Sequence, residues 1–178
     1  ESVNSHPTHF EMSTSQYASP SNKAAFVNKL DYVILAALEV DTSFNVNVIT
    51  GSDGVLRGAP GGHPDTAAGA KCCIIVTPLV RGRMATICED VVTVTTPGEN
   101  VDVVVTDYGI AVNPGRPEIY EALKAAGLPL KTIKELQEEA YAIVGKPDPL
   151  PFQDRVVAIM EARDGTILDV VRQIDPLD

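Results

Sequence analysis

The stretch Gly51 to Asp65 (GSDGVLRGAPGGHPD) packs five glycines and two prolines into fifteen residues. No regular element tolerates that composition, so it is a loop whose backbone can approach a ligand closely. Successive N–H groups in such a loop, with a helix N-terminus behind them, suit a phosphate, a carboxylate or the oxyanion of an acyl transfer. The spacing of a phosphate-binding NTPase loop is absent. So is the dinucleotide fingerprint, because the glycines fall at Gly51, Gly54, Gly58, Gly61 and Gly62. A surface loop that binds nothing has the same composition, and the pattern alone leaves both readings open. His63, between Gly62 and Pro64, is a candidate general base or hydrogen-bond donor to a carboxylate, or else a histidine bonded to backbone. Asp65 reads as a helix cap or loop brace. Arg57, Arg81 and Arg83 are the nearby cations, able to grip carboxylates in bidentate fashion or to remain solvated.

No Gly-x-Ser-x-Gly elbow occurs, and His6, His9 and His63 lack a Ser or Cys partner at a familiar spacing. Glu11 in HFEMST is a conceivable carboxylate nucleophile, but it lies in a polar, Ser-rich stretch and reads as a surface group. Glu39 and Asp41 close an apolar run, where they either face a ligand crevice or brace the Asn45–Asn47 turn.

Positioning these groups requires a folded scaffold. The chain has 178 residues, 44% hydrophobic and 21% charged, which fits one globular domain. Its formal net charge of -10 disfavours nucleic acid and anionic membrane as partners, and obliges any anion site to rely on local donors. Cys72, Cys73 and Cys88 show no metal or redox spacing and read as buried thiols of a reducing, cytoplasmic protein; no metal site is expected. No apolar run reaches the roughly 20 residues of a membrane span.

Residues 1–19 read as a loop, the opening of a piece of a longer protein. A short helix is expected over Pro20–Asn28 and a strand covered on both faces over Asp31–Glu39. A marginal strand follows over Asn45–Thr50, and a helix starts near Thr66. Strands are expected at Lys71–Thr77, Glu89–Thr95 and Val101–Thr106, the last continuing through Asp107–Val112 after a break at Tyr108–Gly109. Helices are expected at Pro117–Ala126 and Thr132–Val144, each closed by glycine. A final pair, Phe152–Glu161 and Thr166–Gln173, is joined by Asp164–Gly165. About seven strands and three or four helices in mixed order make an α/β fold with some antiparallel pairing.

The strings LAALEVDTSFNVN, GGHPD and TVTTPGENVDVVVTDYGIAVNPGRPE resemble the second half of the acetyl-CoA hydrolase and CoA-transferase superfamily. HFEMSTSQYASPSNK, VITGSDGVLRGAPGGHPDTAAGAK, TPLVRGR and DGTILDVVRQ are similar to the citrate lyase alpha subunit family, and the likeness spans essentially the whole chain. The resemblance implies an open mixed sheet flanked by helices, of the NagB/RpiA/CoA-transferase kind. The chain would be the second, carboxy-terminal domain of a longer subunit. The implied activity transfers an acyl-carrier thiol from acetyl to citrate, giving citryl carrier and acetate. CoA, or the CoA-derived prosthetic group of a separate acyl-carrier subunit, is then substrate, and no cofactor is bound covalently here. Implied partners are the beta (citryl lyase) and gamma (acyl-carrier) subunits and the chain's own amino-terminal domain, in an oligomer. By this analogy Gly61 and Gly62 donate N–H groups to the thioester oxyanion, with Asn22 beside them and Gly58 and Asp65 completing the CoA-binding set. Citrate falls to Arg57, Arg81 or Arg83. The superfamily's covalent glutamate would lie ahead of Glu1 or at Glu11. The citrate lyase type is thought to dispense with it, so no nucleophile is nominated. Two alternatives stand: another carboxylate CoA-transferase or hydrolase on the same fold, or a scaffold half whose partners carry the chemistry.

Overall fold

The computed structural model describes residues 5–19 and 21–175. Its centre is a four-stranded sheet in the order β1-β4-β8-β9, built from β1 (Val33–Ala36), β4 (Cys73–Val76), β8 (Val103–Thr106) and β9 (Gly109–Val112). β1, β4 and β8 run parallel; β9 returns antiparallel beside β8. A second sheet orders β3 (Val46–Asn47), β2 (Glu39–Asp41) and β7 (Ile87–Cys88), and a small hairpin joins β5 (Val80–Arg81) to β6 (Met84–Ala85). The helices are α1 (Thr14–Ala18), α2 (His63–Gly69), α3 (Pro117–Ala125) and α4 (Ile133–Val144). A long hairpin of β10 (Phe152–Glu161) and β11 (Ile167–Ile174) closes the chain. The fold is α/β with mixed sheets, as expected.

The main core lies between one face of the large sheet, the small sheet, α2 and α4. Val33, Cys73, Ile75 and Val104 meet Val40, Ala67, Ile87, Leu136 and Ala140 there. α4 begins as its sequence dictates: Thr132 accepts the Glu135 N–H while the Glu135 carboxylate accepts the Thr132 N–H, a capping box that satisfies otherwise orphaned donors. Gly145 closes it with φ of 86°.

Several expectations are corrected. Within 1–19, α1 forms with its own capping box at Ser13 and Gln16. Of the helix expected over Pro20–Asn28, whose first residue lies outside the described residues, a single 3-10 turn forms, Phe26–Lys29. There Asn22 takes the Ala24 N–H onto its side chain, and i-to-i+3 bonds replace helical ones. The Asp31–Glu39 run is two strands, because the chain leaves the large sheet at Ala37–Leu38 and enters the small one. α2 starts at His63, three residues before Thr66. The Glu89–Thr95 strand does not form: the Val92 and Val94 N–H groups that would feed a ladder go to the carboxylates of Glu39 (3.4 Å) and Asp169 (2.7 Å).

Candidate functional site

The site gathers at the carboxyl end of β1, where open α/β sheets present loops to ligands. Two consecutive carbonyls there accept from two of the candidate residues. Ala36 O accepts from His63 Nε2 at 3.0 Å, and Ala37 O accepts from Arg81 Nη2 at 3.0 Å. α2 and β5, which flank β4 in the chain, thus converge on one strand end.

A carbonyl only accepts, so Nε2 of His63 carries hydrogen, and in the neutral ring Nδ1 accepts the Thr96 hydroxyl at 2.7 Å. Burial holds the pKa of His63 below the ordinary value, against the partial opposition of the Ala36 bond. Both nitrogens are engaged, which makes the ring a brace tying α2 to β1 and to Thr96. A histidine with a lowered folded pKa contributes stability that is full above its unfolded pKa and is lost as pH falls through the folded one. Thermal unfolding between pH 8 and 5 should therefore show a falling Tm below about pH 6.5, and the slope should shrink in His63→Gln. Equal slopes in both proteins would remove His63 from the acid response.

The glycine loop divides into two working parts. Its front is a tight turn. Gly51 N–H donates to Val55 O, Gly54 N–H to Gly51 O and Arg57 N–H to Ile49 O, with a bridge between Thr50 and Leu56. Those donors are spent within the loop. At the rear, the N–H groups of Gly58, Gly61 and Gly62 have no acceptor among the described residues, and Gly61 sits at φ of 56°, a conformation that favours glycine. The Gly62 carbonyl accepts from the Thr66 hydroxyl (2.6 Å) and N–H (2.9 Å), fixing the turn into α2. Asp65, nearly buried, pairs with Arg163 of the final hairpin at 2.6 Å, on the wall of a cavity of about 350 Å³. Asn22 braces its own turn, donating to Ser15 O at 3.2 Å and accepting the Ala24 N–H at 3.1 Å.

Of the three arginines, the fold brings two together. Arg57 and Arg81 line a cavity of about 250 Å³ with Ser52, Gly51 and Glu39. Arg57 is paired with Asp53, whereas among the described residues Arg81 has only the neutral Ala37 carbonyl as partner. A Cβ at Gly51 would lie 2.6 Å from Arg57 Nε and 2.7 Å from Asp53 Oδ1, so a side chain there would push that ion pair away from the loop. Arg83 sits in the β5–β6 turn itself, outside this cavity.

Glu39 and Asp41 are braces. Asp41 accepts the Ser43 and Asn45 N–H groups at 2.8 and 2.9 Å, and Glu39 accepts Asn47 Nδ2 at 2.8 Å. All three cysteines are free and buried. Burial, then the Asp102 charge, pushes the Cys73 thiol up to about 12, and Cys72 and Cys88 are raised as well. Such thiols are inert at neutral pH. Among the described residues no group of His, Cys, Asp or Glu could hold a metal ion, and no helix is long and apolar enough to cross a membrane.

The groups that sequence reasoning missed are Thr96 and Arg163. They reach His63 and Asp65 from 33 and 98 residues away, and nothing local in the sequence marks them.

An open mixed sheet with a glycine turn and an arginine-lined cavity at its strand ends defines an α/β domain of the kind that meets ligands along a sheet's edge. Within that class the match is specific. The family model for the citrate lyase alpha subunit (CitF) matches residues 1–174, and the chain belongs to that family. It is 57% identical over 174 residues to the citrate lyase alpha chain of Haemophilus influenzae, covering 98% of this chain and 35% of that one. Against the Klebsiella pneumoniae alpha chain it is 56% identical over 177 residues, covering 99% and 35%. A protein described as the alpha subunit of citrate lyase from Streptococcus mutans, crystallised in complex with citrate, superposes with a TM-score of 0.94 at 52% identity. That superposition covers 98% of this chain and 34% of the other. The chain thus spans about a third of the length of the relatives it matches.

Proposed function

We propose that the chain is the carboxy-terminal domain of a cytoplasmic citrate lyase alpha subunit and forms one wall of its citrate transferase site. The observation that carries this is the cavity that Arg81, anchored on the Ala37 carbonyl, shares with Gly51 and Ser52 of the glycine turn, within a sequence 54–57% identical to citrate lyase alpha chains. In this reading Arg81, helped by Arg57, holds carboxylates of citrate. Gly58, Gly61 and Gly62 turn unspent N–H groups toward the thioester oxygen of the acetylated carrier. A citrate carboxylate oxygen attacks the acetyl carbon and the carrier thiolate leaves. The thiolate then attacks the citryl carbonyl of the mixed anhydride, and acetate departs with the electron pair. Backbone N–H groups stabilise the negative oxygen formed in each step without needing net positive charge, which suits a chain of charge -10. The prosthetic group of an acyl-carrier subunit supplies the thiol, and the beta subunit receives the citryl thioester. Asn22 and Asp65 act behind the site, as braces of the turns that carry it.

The test is a substrate panel on a full-length alpha chain carrying this sequence. Citrate with acetylated carrier, or with acetyl-CoA in its place, should yield the citryl thioester and acetate. Transfer to acetate or succinate with free CoA, and none to citrate, would overturn the reading in favour of another carboxylate CoA-transferase.

A further inference from the structure

Bracing uses only one of the two oxygens of Glu39. The residue is 4% exposed, and both of its side-chain bonds fall on Oε2, which accepts from Asn47 Nδ2 at 2.8 Å and from the Val92 N–H at 3.4 Å. Among the described residues nothing donates to Oε1, and no lysine, arginine or histidine pairs with the carboxylate. Every wholly buried side-chain oxygen and nitrogen among those residues has a partner, so Oε1 reaches open space. That space is a cavity: Glu39 lines the arginine cavity of about 250 Å³ and a neighbouring hollow of about 290 Å³, and with Ser52 it is common to both. An amide oxygen would accept the Asn47 and Val92 bonds equally well. A carboxylate held largely out of water with no cation beside it is costly. The charge and the second oxygen therefore call for a role other than bracing.

We propose that Glu39 determines specificity for a hydroxylated substrate, with Oε1 accepting the hydroxyl of citrate while Arg81 and Arg57 hold its carboxylates. This rests on the reading of the chain as one wall of a citrate transferase site. The charges around the cavity are mixed, since Asp53 neutralises Arg57 and Glu39 opposes Arg81. An ionised carboxylate only accepts hydrogen bonds. A substrate carboxylate brought to Oε1 is repelled, whereas a hydroxyl there makes a bond strengthened by the acceptor's charge. Citrate carries one hydroxyl beside three carboxylates, so it meets both kinds of wall. Propane-1,2,3-tricarboxylate has the same three carboxylates and lacks the hydroxyl. A site built to bond a hydroxyl rejects such an analogue because its own buried group is left unpaired.

The experiment titrates citrate and propane-1,2,3-tricarboxylate into the full-length subunit by isothermal calorimetry, for the parent and for Glu39→Gln. Glutamine keeps the Asn47 bond through its carbonyl and sets an uncharged amide where Oε1 stood. The parent should bind citrate about 10- to 100-fold more tightly than the deoxy compound. In Glu39→Gln the preference should fall to within about threefold, as the charged bond is lost. The ratio cancels a loosened fold, which weakens both ligands together. A Glu39 that only braces would shift both dissociation constants and leave their ratio unchanged, and that result overturns the assignment. Equal affinities in the parent overturn it too, whether or not the variant folds. Citrate bound without preference by a subunit that passes the substrate panel sinks the role of Glu39 alone. A parent that binds no citrate and fails the panel sinks the transferase reading and this assignment together.

Discussion

Arg81→Ala in the full-length subunit should lower kcat/KM for citrate by about 10- to 100-fold, chiefly through KM. A hydrogen bond to a charged group contributes roughly 1.5–3 kcal/mol, and about 1.4 kcal/mol is tenfold in affinity. The effect should exceed that of Arg57→Ala, because Asp53 already neutralises Arg57 whereas Arg81 keeps its full charge against a neutral carbonyl. Arg81→Lys should recover only part of the loss, since a point charge replaces a planar fork that matches a carboxylate. Arg83→Ala, beyond the cavity wall, should leave citrate kinetics unchanged. Steady-state kinetics varying citrate at fixed acetyl carrier reads all four variants. KM for the carrier is the internal control, because loosening of the Ala37 bond would disturb both substrates. A citrate KM in Arg81→Ala within twofold of the parent value would end its assignment to the substrate.

Gly98→Ala should destabilise the protein by about 3 kcal/mol or more, beyond the usual range for one added methyl group. A Cβ at Gly98 would overlap the Ser43 carbonyl oxygen and lie 2.9 Å from the Phe44 carbonyl carbon and 3.0 Å from the Asn45 nitrogen. All of these are backbone atoms, so no rotamer change relieves the clash. The knot around Gly98 is also bonded: its N–H donates to Asn45 Oδ1 at 2.9 Å, and its carbonyl accepts from Asn113 Nδ2 at 3.0 Å. Thr96, two residues before it, holds the His63 ring. Chemical denaturation should show the loss as a lower midpoint at unchanged slope. The pH dependence attached to His63 should weaken with it if the Thr96 contact is lost. A midpoint within error of the parent would show that the two loops separate without cost.

What the sequence determined by itself is what depends on near neighbours. α4 could be read from Thr132, Glu135 and Gly145, because capping joins residues three apart and a glycine at positive φ ends the helix locally. The β10–β11 hairpin followed from Asp164–Gly165 between two apolar runs. Glycines from Gly51 to Gly62 marked a loop whatever surrounded it, and long shared strings carried the family. Tertiary structure decided the rest. The apolar run Asp31–Glu39 carries no local mark of the point where it leaves one sheet for another. The Glu89–Thr95 segment lost its strand to carboxylates of Glu39 and Asp169, 53 and 75 residues distant from their partners. Three arginines of equal standing in sequence became two in a cavity and one outside it. The histidine left open in sequence between a general base and a backbone-bonded group has both nitrogens engaged, by Ala36 and Thr96. Periodicity and capping act over one turn of chain, whereas a site is set by which distant carbonyls, hydroxyls and carboxylates the packing brings within 3 Å of each other.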